Sequence, residues 1–403
     1  MKINTPPIPQ NEMERLLALS EFDLDYSSLQ ETFKDLTKLA SKVAGTSISL
    51  INFIDSFNQW TVASHNLPLE QMGRDESVCQ YTIMQDESFE VNDLLSDDRF
   101  NHKFYVAGEP NLRYYFGVPL VADDGLNVGA LCVLDTKKRY ISPEKVELLK
   151  IIADEIMNRI TAQKIIGSLK DSVKEANKAK LSVAHDIRGP LSGIMSLAEI
   201  VGQQGDKNKI EDVLQFVKLI YKSSHSLLEL AEEILNNEQK NDRQLTCNEI
   251  NLVVLKQKLE KLYTPQALNK KINFVVNIYG DNGSSPFNKN KLLQIIGNLI
   301  SNAIKFTPAN GEVEVALQLL TSENKTSVLN ITVRDSGVGI DSSMIKNILD
   351  GNAKPTDGTL GEQGYGFGLA LVKHLIDSLQ GSIKIQSTPN AGTVFTVDLP
   401  QKV

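Results

Sequence analysis

Cysteine is scarce in this chain of 403 residues, which has only Cys79, Cys132 and Cys247. An odd number of cysteines without the spacing of metal ligands argues against a disulfide framework and against a zinc site. The sequence therefore predicts reduced thiols, as in cytoplasmic proteins.

Long apolar runs and an excess of positive charge are also missing. No stretch approaches the roughly 18 uninterrupted apolar residues of a membrane-spanning helix, and the polar start MKINTPPIPQNEMER has no signal-peptide core. The formal net charge is −8. These features predict a cytoplasmic protein without a membrane span, whose general partner is not nucleic acid.

The length and composition indicate several folded domains. A chain of 403 residues with 41% hydrophobic and 23% charged residues is long enough for roughly two to four hydrophobic cores. Short β-type runs separated by polar turns occupy the first third, and strands alternate with helices in the last third. We predict an N-terminal extension, a sensor-sized domain, a coiled-coil helix, a helical hairpin and an α/β domain over residues 1–20, 21–160, 161–180, 181–240 and 241–403.

Between these α/β regions the pattern becomes helical at Ser142, which precedes a proline and a glutamate, and it hardly breaks for some sixty residues. An apolar stripe with mostly three- and four-residue steps is typical of a seam between two helices; it comprises Leu149, Ile152, Ile156, Ile160, Ile166, Leu169, Val173 and Ala176. A polar break at 203–208 and a second apolar-periodic segment from Ile210 to Leu235 complete a helical hairpin. Two helices bury too little alone, so we predict a homodimer with a four-helix bundle.

Three polar residues share one face of a predicted helix over Lys289–Phe306. Asn298, Asn302 and Lys305 stand at i, i+4 and i+7, opposite an apolar stripe. Their carboxamides can offer oxygen to Mg²⁺, and the ammonium can offer positive charge to phosphate. The alternative for this helix taken alone is an ordinary solvated face.

A carboxylate falls in the apolar register of a predicted strand. Alternation over Leu329–Asp335 places Asp335 on the core-facing side, where a carboxylate needs a hydrogen-bond donor such as an adenine amino group. Gly337 and Gly339 follow and would open a pocket beside it. An isolated Asp-x-Gly-x-Gly segment, however, also simply ends many strands in a turn.

A glycine-rich loop runs into a helix over Gly361–Lys373. Gly364, Gly366 and Gly368 allow backbone N–H groups to approach phosphate at a helix N-terminus. A Rossmann nucleotide site would need such glycines directly after the first strand of a βαβ unit, and here they follow a long polar segment.

Taken together, four segments closely resemble the ATP-binding motifs of the gyrase, heat-shock-chaperone, histidine-kinase and mismatch-repair superfamily, over about Asn248–Pro400. They are Asn298–Phe306, Asp335–Gly339, Gly364–Leu369 and Gly392–Phe395. The resemblance implies that ATP and Mg²⁺ are the cofactors. It implies that Asn302, with Asn298 nearby, binds Mg²⁺, that Lys305 faces phosphate and that Asp335 binds the adenine amino group. It also implies a lid over about residues 341–363. The implied ATP-binding residues are Asn298, Asn302, Lys305, Phe306, Asp335, Gly337, Gly339, Gly364, Gly366, Gly368 and Thr393. One departure is that Met344–Gly351 has no phenylalanine, whereas these kinases usually carry an aromatic motif there.

In the first long helix, Ser182-Val-Ala-His-Asp-Ile-Arg-Gly-Pro-Leu191 resembles the phosphoacceptor motif of two-component histidine kinases. Standing alone, His185 would be read as an ordinary surface histidine. The resemblance implies that His185 takes the phosphoryl group, that Asp186 takes the other ring proton, and that the phosphoryl group passes to an aspartate of a separate response regulator. Pro190 should bend the helix just after the histidine.

The N-terminal region from Leu16 to Ile160 resembles the GAF domains of bacterial sensor kinases, and names no ligand. The match is carried by Asn52–Asp55, Gln59-Trp60, Ser77–Cys79, Asp98–Phe100, Gly117–Leu120 and Gly129–Asp135. A chromophore on Cys79 or Cys132 and haem on His65 or His102 remain minor alternatives, because small apolar cysteines are usually core residues.

The predicted fold class is thus multidomain α+β: a GAF-like α/β sensor domain, a coiled-coil linker, an antiparallel helical hairpin that dimerises as a four-helix bundle, and an α/β-sandwich ATP-binding domain. The predicted function is a cytoplasmic sensor histidine kinase regulated by an unknown signal at the GAF-like domain. Two alternatives stay open: a ligand-binding scaffold with a degenerate kinase region, against which the intact motifs argue, and an ATPase that drives conformational change, against which the phosphoacceptor motif argues.

Overall fold

The computed structural model describes residues 7–26, 29–204, 210, 213–215, 217–222, 224–225, 228, 249–280, 282–285, 287–289, 291–321, 327–349, 358–359, 362 and 366–401. Within these ranges, several side chains lie outside the description, namely those of residues 171, 174–186, 188–190, 193, 197, 200–202, 204, 288, 342–343 and 349. The chain divides into two compact units, one formed by residues 1–163 and 249–403 and the other by residues 164–248.

The first part of the larger unit is built around an antiparallel six-stranded sheet with the order β3-β2-β1-β6-β5-β4. Its strands are β1 Ile48–Ile54, β2 Asn58–His65, β3 Gln71–Gly73, β4 Phe89–Val91, β5 Tyr114–Val121 and β6 Asn127–Asp135. Its helices are α1 Glu12–Glu21, α2 Gln30–Ala44, α3 Cys79–Thr82 and α4 Phe104–Ala107. The central strands read as continuous apolar runs because both faces of the sheet are covered and buried.

A buried ionic cluster fastens α1 to this sheet. Glu12 accepts hydrogen bonds from Arg15 at 2.8 and 2.9 Å and from Arg74 at 2.5 Å. Arg15 also donates to the carbonyl of Ile54 at 2.7 Å, and Arg74 donates to the carbonyl of Asp55 at 3.0 Å. The cluster therefore fixes the end of β1 and the turn that follows it.

One long helix, α5 Pro143–Gln204, follows the sheet. Its first apolar residues, Leu149, Ile152, Ile156 and Ile160, are buried in the core of the preceding domain. This corrects the prediction of one uniform seam, because an apolar stripe does not state which surface will cover it. Further along, Ile166, Leu169 and Val173 are 50%, 59% and 60% exposed, whereas the side chain of Ala176 lies outside the description.

Residues 249–401 form a second α/β layer structure with the sheet order β12-β13-β11-β10-β8. Its strands are β7 Glu249–Ile250, β8 Asn273–Tyr279, β9 Phe287–Asn288, β10 Glu312–Thr321, β11 Ser327–Asp335, β12 Ser382–Thr388 and β13 Gly392–Gln401. Its helices are α6 Leu252–Asn269, α7 Leu292–Phe306, α8 Ser342–Leu349 and α9 Gly368–Ser378. Buried residues of α6, α7 and α9 pack on one face of the sheet, which confirms the multidomain α+β fold class.

Among the residues described above, no helix combines the length and the apolar content needed to cross a bilayer.

Candidate nucleotide-binding site

The polar row of α7 is buried, so the solvated-face alternative is wrong. Asn298, Asn302 and Lys305 are only 6%, 7% and 6% exposed. Asn302 and Lys305 line a cavity of about 250 Å³, while Asn298 lies one turn earlier and lines a smaller space of about 20 Å³. The helix therefore buries polar side chains on the side opposite its apolar stripe, where they face a cavity instead of water.

Each of the two amide groups in this row has one atom without a hydrogen-bond partner among the described residues. The Nδ2 group of Asn298 donates to the carbonyl of Gln294 at 2.8 Å. In the described part of the chain, however, neither Oδ1 of Asn298 nor Nδ2 of Asn302 has a hydrogen-bond partner. Leaving a buried polar atom unpaired costs free energy, so such atoms are unusual outside places where a ligand completes them.

Asp335 lines the same cavity. Its Oδ1 accepts the backbone N–H of Gly337 at 2.8 Å and of Thr393 at 3.2 Å. Thr393 reaches it because β13 pairs antiparallel with β11 and places these two residues opposite each other. Both bonds go to Oδ1, so within the described structure Oδ2 is the oxygen available to a donor. Burial raises the pKa of Asp335, although the two backbone hydrogen bonds oppose that increase.

The glycines after Asp335 are required by close backbone approach. A Cβ on Gly337 would overlap the carbonyl of Phe306 and lie 2.8 Å from Oδ1 of Asp335. Gly339 has a φ of +68°, and a Cβ there would overlap the carbonyl of Thr388. The segment is therefore more than a strand-ending turn, because its glycines bring α7, β11 and β12 together around the carboxylate.

The glycine-rich loop reaches the cavity where α9 begins. Gly366, with a φ of +82°, and Gly368 both line it. Gly364 lies outside the described residues. The segment Met344–Gly351, which has no phenylalanine, contributes Met344 and Ile348 of α8 as apolar lining of the cavity.

Of the sequence-predicted residues, the structure thus gathers most around one cavity. Those lining it are Asn302, Lys305, Phe306, Asp335, Gly339, Gly366, Gly368 and Thr393. Gly337 contributes its N–H to Asp335 without lining the cavity. The backbone of His185 and Asp186 is helical within α5, but their side chains lie outside the described residues.

Two further residues at or near the cavity were not predicted from the sequence. Phe57, from the turn between β1 and β2, lines the same cavity. Lys270 lies just past α6 and is buried; its ammonium donates to the carbonyls of Ile304 at 3.0 Å and Lys305 at 2.5 Å, and to Oε1 of Glu362 at 2.6 Å. Burial lowers the pKa of Lys270, and the bond to Glu362 opposes that change. An aromatic residue in a tight turn was the only available signal for Phe57, and no local pattern marked Lys270.

A second cavity, of about 200 Å³, lies in the N-terminal domain and has a mostly apolar lining. Both described cysteines line it; they are buried and form no disulfide. The Nδ2 group of Asn52 contacts the sulfur atoms of Cys79 at 3.2 Å and Cys132 at 3.3 Å, and its Oδ1 accepts a hydrogen bond from Thr61 at 2.8 Å. Neither His65 nor His102 lines this cavity, so the haem alternative has no support there.

Three protein families match successive parts of the chain. GAF domains match residues 28–160, His Kinase A (phospho-acceptor) domains match residues 182–242, and the family described as histidine kinase-, DNA gyrase B- and HSP90-like ATPase matches residues 287–403. His185 thus lies in the second match, and the cavity-lining residues Asn302, Asp335 and Gly368 lie in the third.

Individual relatives are similar over parts of the chain. The autoinducer 2 sensor kinase/phosphatase LuxQ of Vibrio harveyi is 28% identical over 407 residues, which cover 95% of this chain and 44% of LuxQ. The sensor histidine kinase GacS of Pseudomonas protegens is 33% identical over 54% of this chain and 24% of its own length. The cyclic di-GMP phosphodiesterase PA2567 of Pseudomonas aeruginosa is 32% identical over 48% of this chain and 33% of its own length. The chain spans less than half the length of each of these relatives.

Proposed function

We propose that this chain, which belongs to the sensor histidine kinases through its GAF, phosphoacceptor and ATPase domains in that order, transfers the terminal phosphoryl group of ATP to His185. The observation that carries the proposal is the cavity in which buried Asn302, Lys305 and Asp335 face one ligand-sized space. The phosphoacceptor-domain match over residues 182–242 supports His185 as the proposed nucleophile.

The cavity lining combines groups that suit an adenine nucleotide. Oδ2 of Asp335 would accept the adenine amino group, while Met344 and Ile348 provide apolar contact for the base. Lys305 would pair with phosphate oxygens, and the backbone of Gly366 and Gly368 at the start of α9 would donate to them.

The amide row of α7 would hold a divalent cation beside the phosphates. Oδ1 of Asn298 is buried without a partner among the described residues, and Asn302, one turn later, would offer its own carboxamide oxygen, a ligand type that hard cations prefer. The ion would neutralise charge on the phosphate oxygens when bound. Lys270 would keep this end of α7 in position, because it bonds the last carbonyls of the helix.

The phosphoryl transfer itself belongs to His185 and Asp186. A neutral imidazole nitrogen of His185 would form the N–P bond as the bond between the terminal phosphorus and the oxygen of ADP breaks. The carboxylate of Asp186 would take the proton from the other ring nitrogen. The phosphoryl group would then pass to an aspartate of a separate response regulator.

Assembly and control complete the proposal. A homodimer would cover the exposed apolar stripe of Ile166, Leu169 and Val173 on α5. The GAF domain would regulate the kinase in the cytoplasm, and the mostly apolar cavity beside Asn52 offers space for a small regulatory ligand.

The test is to incubate the full chain with ATP labelled in the terminal phosphate. The expected product is a phosphoprotein whose label is stable in base and labile in acid, and which is absent from the His185→Gln variant. Nucleotide affinity should persist in that variant, since His185 and the proposed nucleotide-binding residues belong to different domains of the chain. ATP hydrolysis without any labelled protein would instead favour the conformational ATPase alternative, and labelled protein in His185→Gln would disprove the assignment of the acceptor.

A further inference from the structure

The turn between β1 and β2 carries a side chain of the GAF domain into the nucleotide cavity. Phe57 occupies the tip of this turn and lines the cavity together with Lys305 and Gly368. A Cβ on Gly368 would lie 2.5 Å from the Phe57 ring, so the first residue of α9 is in close contact with the ring. The ammonium of Lys305 lies 5.8 Å from the centre of the same ring.

The turn is held rigidly by Asp55. Its Oδ1 accepts the backbone N–H groups of Phe57 at 2.7 Å and Asn58 at 2.6 Å, and its Oδ2 accepts the indole N–H of Trp60 at 2.5 Å. The buried guanidinium of Arg74 donates a hydrogen bond to the Asp55 carbonyl at 3.0 Å. Phe57 is therefore presented by a fixed turn, and its position is set by the GAF domain.

Contacts around the turn join the two domains of the larger unit. Asn58 donates to the hydroxyl of Ser301 at 3.2 Å, next to Asn302 on α7. Gln71 donates to the carbonyl of Leu262 at 2.7 Å. Trp60 is buried with its edge against Tyr263 of α6, at a centroid distance of 5.7 Å. The interface is therefore partly apolar and includes specific hydrogen bonds.

Opposite charges surround this contact. The segment Glu21–Asp25 of the GAF side is acidic, and it faces lysines of the ATPase side. Lys291 pairs with Glu21 at 2.6 Å, Lys258 pairs with Asp25, and Lys289 lies 3.9 Å from the carboxylate of Asp23. Complementary charge on the two surfaces favours this orientation over others.

The location of Phe57 in the cavity decides what the contact does. The ring is in close contact with Gly368 and near the ammonium of Lys305, the two residues assigned to phosphate, which define the phosphate end of the cavity. An aromatic ring offers phosphate no hydrogen bond, and by contacting the ammonium it competes with phosphate for that charge. The ring and a triphosphate therefore oppose each other at one end of the cavity.

We propose that the GAF domain docks on the ATPase domain of its own chain and closes the phosphate end of the nucleotide cavity with Phe57, so that the docked form is the resting state. Separation of the two domains then frees Lys305 and the start of α9 for Mg-ATP. This inference rests on the proposed binding of ATP in that cavity. In the proposed docked form, the acidic segment Glu21–Asp25 and Phe57 of the GAF domain contact the ATPase domain of the same chain.

The chain offers its own reporter of docking, because Trp60 is its only tryptophan. Separation would expose the part of the indole that Tyr263 now contacts, while Tyr26 would stay stacked on the indole, and quenching of the Trp60 fluorescence by acrylamide would increase. Asp25→Lys and Lys258→Asp should each increase quenching in the full chain without nucleotide, and the double exchange should return it toward the wild-type value. Unchanged quenching in both single variants would overturn docking, and a dependence of wild-type quenching on protein concentration would replace the intramolecular partner by a second copy.

Nucleotide affinity tests the closure itself. Phe57→Ala in the full chain should bind a non-hydrolysable ATP analogue with Mg²⁺ roughly tenfold more tightly, as expected when a closed form holding about nine-tenths of the population is removed. ADP affinity should change by no more than about twofold, because ADP lacks the terminal phosphate that meets the ring. Phe57→Leu, which keeps an apolar side chain but has no aromatic ring for the ammonium, should bind the analogue with an affinity between those of the wild type and Phe57→Ala. Tyr140→Ala, which removes an aromatic ring that is 72% exposed on the same domain, is the matched control.

Three results would be decisive against closure. Equal or weaker binding of the ATP analogue by Phe57→Ala would make Phe57 a plain wall of the cavity and overturn the proposal. The same gain in Tyr140→Ala would show a general loosening and would also overturn it. If no variant binds any adenine nucleotide, the proposed function fails and closure fails with it, even where the Trp60 measurement shows docking.

Discussion

The nucleotide cavity and the mostly apolar cavity of the GAF domain differ in how the buried polar groups beside them are paired. In the GAF domain, Asn52 shares its amide among Cys79, Cys132 and Thr61. In the ATPase domain, Oδ1 of Asn298 and Nδ2 of Asn302 have no partner among the described residues. A self-satisfied polar cluster belongs to the stability of the fold, whereas unpaired buried groups reserve hydrogen bonds for a ligand. Substitution of the paired polar residue in the GAF cavity is therefore expected to lower the stability of the fold. Substitution of the unpaired residues at the nucleotide cavity is expected to lower activity instead.

The largest expected effect tests the functional side of this comparison. Asn302→Ala should lower autophosphorylation by roughly 100-fold, because it removes a proposed ligand of Mg²⁺. The free energy of unfolding should stay within about 0.5 kcal/mol of the wild type or rise, since the lost amide has an unpaired atom in the free protein. Rates of labelling and chemical denaturation of the same samples measure both. A large loss of stability would show that Asn302 is a structural residue.

Asp335→Asn is expected to have the next largest effect, which is on nucleotide affinity. The substituted amide presents a donor where the adenine amino group needs an acceptor, so nucleotide binding should weaken by about 1–3 kcal/mol. Calorimetric titration with ADP checks this, and Asp398→Asn on the neighbouring strand β13 is a control outside the cavity lining. Unchanged ADP affinity in Asp335→Asn would remove this residue from the adenine site.

The structural side of the comparison is tested by Asn52→Ala. This change leaves two buried thiols and the hydroxyl of Thr61 without their amide partner, so the free energy of unfolding should fall by about 1–3 kcal/mol. Nucleotide affinity should not change, because Asn52 does not line the nucleotide cavity. Denaturation followed by the fluorescence of Trp60 provides the measurement. A neutral effect on stability together with lost regulation would instead make Asn52 a ligand-binding group.

Helical phase and strand alternation predicted the placement of the candidate site residues on α7 and β11 because both patterns are local. The spacing of Asn298, Asn302 and Lys305 placed them on one face of α7, and alternation placed Asp335 in the buried register of β11, as the structure confirms. Neither pattern showed that the polar face of α7 would be buried. That outcome depends on packing from elements distant in the chain.

The contacts of Phe57 and of the first part of α5 could not be predicted from local sequence patterns. Asn58, beside Phe57, contacts Ser301 across 243 positions of sequence, and no periodicity within a turn announces such a partner. The stripe from Leu149 to Ile160 was correctly predicted as apolar, but it packs on the chain's own GAF domain and not on a second helix. Periodicity identifies the face that must be buried, and tertiary structure decides what buries it.

The smallest expected effect concerns pH and separates the two roles of Asp335. Burial raises the pKa of this carboxyl group above the ordinary value of 3.8. The adenine amino group favours the ionised form, so nucleotide affinity should be full above the raised pKa and should be lost as the pH falls through it. Folding stability has the opposite dependence. Because the folded state holds the proton more tightly than the unfolded state, the contribution of Asp335 becomes less favourable as the pH rises from 3.8 through the raised value.

Asp335→Asn removes both dependences and is therefore the reference. Relative to this variant, the wild type should gain ADP affinity and lose unfolding free energy as the pH is raised over that interval. Titration calorimetry and denaturation at matched pH values, with the variant subtracted, remove the shared contribution of phosphate ionisation. Parallel pH profiles for the two proteins in both measurements would show that the buried carboxylate neither binds the base nor costs stability, and the contrast between the two cavities would then rest on the amides of α7 alone.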